Sequence, residues 1–148
     1  MVLLSCLCVS KAITSYEREK NECLDSFIEL IKYIRNRIDC YSMPIDKIFY
    51  ECPDEKLDPF GGKRDGMIFS DLLNGKENLV RGESRRILEE FSETLGKNYR
   101  DRQVKLCDRA VSALESIRDA EIKRSSVHKK IVNTLCLAAG GIIIILLF

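Results

Sequence analysis

Residues 131–148, IVNTLCLAAGGIIIILLF, run for eighteen positions without a charge. A helix of that length reaches about 27 Å, against a hydrocarbon core about 30 Å thick. The stretch can therefore cross a bilayer with little tilt. Asn133 and Thr134 fall in its first turn, where headgroups can hydrate them. Gly140 and Gly141 are tolerated because lipid leaves the backbone nothing better than a helix. A buried core helix is the rival reading, but so small a domain could not hide a helix that is apolar all round. The expectation is a transmembrane helix over 131–148.

The flank sets its direction. Lys123, Arg124, Lys129 and Lys130 precede the run, and basic residues stay on the cytoplasmic side. They also suit contact with anionic lipid. The hydrophilic body is thus expected in the cytoplasm, anchored at the plasma membrane. Residues 1–9 are apolar from Val2 to Val9, too short to span a bilayer, and carry no signal-peptide cleavage pattern. Two readings stay open: the amphipathic start of a long helix, or the tail of a membrane helix beginning upstream of Met1. The domain plan is an N-terminal apolar remnant over 1–9, a cytoplasmic helical body over 10–130, and the span over 131–148.

A chain of 148 residues makes one domain. It has only three prolines and eight glycines, so few breakers interrupt long helices. The 24 basic and 23 acidic residues leave a net charge of +1, which argues against a nucleic-acid partner. Seven cysteines, an odd number with no C-x-x-C pair, read as free thiols in a reducing compartment.

Apolar spacing then locates the helices. Leu24, Phe27, Ile31, Ile34 and Ile38 alternate steps of three and four, with Ile28 and Leu30 widening the seam. One helix is expected over 10–39. Pro44 suits the first turn of a short helix over 44–51, preceded by Ser42 or Met43 and ended by Cys52-Pro53. Residues 54–66 are polar and glycine-containing and read as a loop. Short helical spacing over 67–73 stops at Asn74-Gly75, and 77–95 is helical up to the cap Gly96. From Asp101 a long helix runs to about His128 and on into the apolar run, with Asn98 placed to cap it.

In four stretches the chain resembles the stage III sporulation protein AB family. They are the seam from Leu24 to Ile38 followed by Pro44-Ile45; Phe91-Ser-Glu-Thr-Leu-Gly96; Asp101-Arg-Gln103 at the start of the long helix; and the glycine-containing apolar tail from Gly140 to Phe148. The match is weakest over 54–85. The chain departs from the family in lacking a full N-terminal membrane helix, and in carrying Arg37 where the family tends to be acidic. The resemblance implies a part in the machinery joining mother cell and forespore. It also implies a soluble body similar to the cytoplasmic domains of type II secretion platform proteins. Membrane lipid, an AA-type sporulation ATPase and other stage III channel proteins are the implied partners, on the mother-cell side. Self-association into a homo-oligomer stays open.

No catalytic, cofactor or metal constellation is apparent. Gly61-Gly62-Lys63-Arg64 lacks the upstream glycine and following Ser or Thr of a phosphate loop. His128 is the sole histidine, without partners for a metal or a triad. Cys6 and Cys8 are at most candidates for acylation. The expected fold class is all-α, an antiparallel helical bundle of five or six helices with a C-terminal transmembrane helix. The expected role is a scaffold or adaptor and not an enzyme; a tail-anchored regulator unrelated to sporulation is the alternative. The helix turns remote from the membrane, Tyr41 to Asp46 and Gly96 to Gln103, are the candidate contact zone, with Arg37, Tyr41, Pro44, Asp46, Gly96, Asp101 and Gln103 as candidate contact residues. For Pro44 and Gly96 a purely structural capping role competes with that reading.

Overall fold

In the computed structural model, residues 2–147 are described. The side chains of residues 1–11, 13, 129, 132, 133 and 136–148 lie outside the description. All regular structure among the described residues is helical. Six α-helices follow in order: α1 Val2–Tyr41, α2 Ile45–Tyr50, α3 Asp54–Leu57, α4 Phe69–Asn74, α5 Gly82–Thr94 and α6 Arg100–Leu147. A 3-10 turn, Asp58–Phe60, follows α3. The chain divides into two compact units, Met1–Arg118 and Asp119–Phe148.

The first unit is organised around the α1 seam. Leu24, Phe27, Ile31, Ile34 and Ile38 are all buried, together with Ile28 and Leu30. Burying one such side chain stabilises by about 1.5–3 kcal/mol, far above what helix propensity contributes, so the seam decides how α1 packs. Phe27 lies 4.6 Å from the Phe60 ring and 5.8 Å from Phe69, which in turn meets Phe91 at 5.0 Å. These ring contacts tie α1, the 3-10 turn, α4 and α5 into one interior.

The two long helices run antiparallel within this unit, as expected. Asp25 pairs with Arg118 at 2.7 Å, Lys32 with Glu115 at 2.9 Å, Arg35 with Asp108 at 2.8 Å and Asp39 with Arg100 at 3.0 Å. Partner numbers fall along α6 as they rise along α1. Cys107, Ala110 and Leu114 are buried on α6.

Several boundaries differ from the sequence expectation. Helix α1 covers Val2–Tyr41 against the expected 10–39, and α4 covers Phe69–Asn74 against 67–73. Residues 54–66 are not simply a loop: α3 and the 3-10 turn occupy 54–60. Leu57 and Phe60 are buried there, three residues apart, and one helical turn brings both to the core. Helix α5 begins at Gly82 instead of residue 77. The intervening backbone turns, with the Leu79 and Val80 N–H groups each 3.0 Å from the Lys76 carbonyl, and Val80 anchors that turn in the core. Pro44 stands as N-cap of α2 with ψ 150, one position outside the helix.

In the second unit the backbone is helical to Leu147. Among the described residues no helix is long and apolar enough to cross a membrane. Of the span expected over 131–148, only Ile131, Thr134 and Leu135 have described side chains, all exposed. Its transmembrane character lies outside the described residues, as does the membrane-remnant reading of 1–9. Lys123, Arg124 and Lys130 are exposed on this unit, while the Lys129 side chain is not described.

Candidate docking site

The end of the first unit where the helices turn carries a cleft of about 600 Å³. Its walls come from three places: the α1–α2 turn, the start of α4 and the α5–α6 turn. Ile38, Phe49 and Phe69 give it an apolar floor, and Ser42, Ser70, Ser92, Asn98 and Lys97 a polar edge. A smaller hollow of about 260 Å³ adjoins it, sharing Asp46, Phe49 and Ile68.

Local chemistry explains why these turns meet. Gly96 has φ +82, a conformation that L side chains rarely adopt, and a Cβ there would lie 3.4 Å from Ile45 Cγ1. Glycine therefore both ends α5 and lets the α5–α6 turn press against α2. Gln103 locks the turn from beneath. It is 3% exposed. In the amide orientation that satisfies its surroundings, its side-chain oxygen accepts from the N–H groups of Gly96 at 2.8 Å, Lys97 at 3.1 Å and Asn98 at 3.0 Å. Arg100 fastens the other wall: its guanidinium donates to the Asp39 carbonyl in the last turn of α1, and to the Asp39 carboxylate at 3.0 Å. Ser42 takes a positive φ of 49 at the α1–α2 turn. At the α4 entrance, the Asp71 carboxylate accepts from the Ile68 N–H at 3.2 Å.

The fold brings the two candidate stretches together. Pro44, Asp46, Gly96 and Gln103 all line the one cleft. Arg37, Tyr41 and Asp101 do not line it. Asp101 is exposed in the first turn of α6, where a carboxylate suits the helix dipole. Tyr41 is 64% exposed beside the cleft, and Arg37 lies one turn earlier on α1. The structure corrects one expectation in kind: Gln103 is buried and its oxygen is committed to the turn, so it acts on the cleft wall through the backbone it holds. The sequence reading missed the α4 contribution, Ile68, Phe69 and Ser70. It also missed the ion-pair ladder. The opposite charges of α1 and α6 were legible, but their pairing depends on a register that sequence spacing does not give.

Acid–base chemistry is subdued. Burial pushes the Cys107 thiol up to about 12, and burial also raises Cys23 and Cys52. These thiols stay protonated near neutral pH and are poor nucleophiles. Among the described residues no group of three His, Cys, Asp or Glu is placed to hold a metal ion.

Fold and site together define an all-helical domain with a buried apolar interior and a cleft formed where its helices turn. The family model of stage III sporulation protein AB matches residues 66–148, more than half of the chain, and the chain belongs to that family. Membership carries a sporulation-related role. The match includes three of the four resembling stretches; the α1 seam lies before it. No curated protein and no solved structure matches the chain.

Proposed function

We propose that this protein is a membrane-anchored adaptor of the sporulation channel between mother cell and forespore, and that it docks a secretion-type ATPase without catalysing a reaction itself. Residues 131–148 form the transmembrane anchor, and the basic flank keeps the helical body on the mother-cell cytoplasmic side. Family membership supports the sporulation setting over an unrelated tail-anchored regulator. The carrying observation is the convergence of Pro44, Asp46, Gly96 and Gln103 on one cleft. An apolar floor with a polar edge matches the pattern of protein interfaces, in which a desolvated centre is ringed by polar groups.

The test uses the full-length chain reconstituted in nanodiscs and a purified AA-type sporulation ATPase. Ser92→Arg places a long charged side chain on the cleft edge. At least tenfold weaker ATPase binding is expected, with the circular dichroism spectrum retained. Undiminished binding by this variant, or no binding by the unmodified protein, would overturn the docking role. Anchoring has its own test. A chain lacking residues 131–148 should leave liposome pellets that the full chain enters; identical partitioning of the two would refute the anchor.

A further inference from the structure

We infer that the protein associates with a second copy of itself, the basic outer row at the start of α6 in each copy lying against the acidic outer row of α5 in the other. None of the row residues lines the cleft, and the inference does not rest on the docking role.

Arg102, Lys105 and Arg109 follow at steps of three and four on α6, so they share one face, and all are exposed. That face is turned away from Gln103, Cys107 and Ala110, which are buried. Glu83, Glu90 and Glu93 form the outer row of α5, opposite the buried Ser84, Leu88 and Phe91. The turn at 95–99 joins the two helices, and both rows belong to the first compact unit. Tyr99, 89% exposed, stands immediately before α6.

The other charges of these helices are already used. On α6, Asp108 meets Arg35 and Glu115 meets Lys32, both on α1. On α5, Glu89 meets Arg85 at 2.7 Å. Arg86 lies within the acidic row but reaches only Glu83, at 3.9 Å, with both side chains mostly exposed. Among the described residues Arg102, Lys105, Arg109, Glu90 and Glu93 belong to no ion pair. Each copy thus carries a row of cations and a row of carboxylates without internal partners. Like charges at helical spacing repel one another, and an opposed row of the other sign relieves that repulsion. An acidic partner would cover α6 alone and a basic one α5 alone, whereas a second copy covers both. In a two-fold contact residue i of one copy meets j of the other and j meets i, so the match occurs twice. The net charge of +1 sets no long-range barrier to the approach. Exposed ion pairs are individually weak and screened by salt. The contact is therefore reversible and sensitive to ionic strength. The exposed Tyr99 ring beside the basic row is of the kind enriched at interface centres.

The experiment mixes full-length chains carrying donor and acceptor fluorophores in neutral detergent micelles and reads energy transfer, with sedimentation velocity giving the mass. One variant reverses the basic row, Arg102→Glu with Arg109→Glu. The other reverses the acidic row, Glu90→Lys with Glu93→Lys. Both are checked for unchanged helical circular dichroism and melting. The unmodified chain should dimerise, and about 1 M salt should weaken the dimer at least tenfold. Each variant alone should self-associate at least tenfold more weakly, since rows of like sign then face each other. The two variants mixed should pair as well as the unmodified chain, because every opposed row again differs in sign. Should a double variant lose its fold, Arg109→Glu and Glu90→Lys alone give the same comparison with smaller losses. A monomeric unmodified chain overturns the inference, as does self-association that both reversals leave unchanged. So does a loss in the separate variants that mixing fails to restore. The ATPase plays no part in the readout, so the docking role stands or falls on its own test.

Discussion

The interior around Phe27 and the turn end around Gln103 belong to the same compact unit, yet they are stabilised in different ways. In the interior, Phe27, Ile31, Ile34, Leu88 and Leu114 are each at 0% exposure, and area removed from water does the holding. Many side chains share that load, so apolar exchanges of similar volume should be absorbed. At the turn end a few directional devices do the work: the positive φ of Gly96, three N–H groups converging on one Gln103 oxygen, and the Arg100 clamp on Asp39. Each is single, and none can be replaced by a neighbour. The lesson is that the interior sets whether the domain folds, while the turns set the shape of the surface it offers.

Perturbations of graded size can break or sharpen that contrast. The largest effect belongs to Phe27→Ala. Removing the ring that meets both Phe60 and Phe69 should cost about 3–5 kcal/mol, read as a lowered urea midpoint. A cost below about 1 kcal/mol would mean that the aromatic cluster collapses freely, and the interior would lose its special standing.

Gln103→Leu comes next. It leaves the N–H groups of Gly96, Lys97 and Asn98 without their acceptor and should cost about 1–3 kcal/mol. Gln103→Glu keeps an acceptor in place and should lose much less. If Leu and Glu behaved alike, the turn would be held by something other than this oxygen.

Alkaline pH probes the interior in a different way. Burial lifts the folded Cys107 thiol from 9.0 to about 12. The unfolded chain therefore releases that proton first as pH rises. The stabilising contribution is complete below pH 9 and is lost progressively between 9 and about 12, at roughly 1 kcal/mol per pH unit. In Cys107→Ala the slope should flatten over that window, although the variant starts from a lower stability. Urea titrations at several alkaline pH values measure it, and parallel slopes would show that Cys107 titrates alike in both states.

The smallest effect is expected on the ladder. Arg118 and Asp25 meet at 2.7 Å with 26% and 49% of their side chains exposed. Asp25→Asn should cost under about 1 kcal/mol and less still in about 1 M salt. A larger, salt-resistant loss would move this pair from the surface category to that of the interior.

Much of the interior was legible in the chain. Alternating steps of three and four predict the α1 seam, and every seam residue is buried. Both stretches assigned to the contact zone do share a cleft. Two features were hidden for distinct reasons. Leu57 and Phe60 stand in a polar, glycine-containing stretch whose composition reads as loop, and only the available core surface turns them into a short helix. Gln103 looked like an exposed recognition residue at a helix start, because nothing local announces that a polar side chain will be buried under a turn several residues upstream.

By itself the sequence determined the helical class, the seam of α1, the cap at Gly96 and the membership in a sporulation family, since each follows from residue order and short-range stereochemistry. Only the tertiary structure decided which charges pair across α1 and α6 and that α4 completes the cleft. Those outcomes depend on the register and closeness of segments far apart in the chain, which packing of the whole interior settles and local spacing does not.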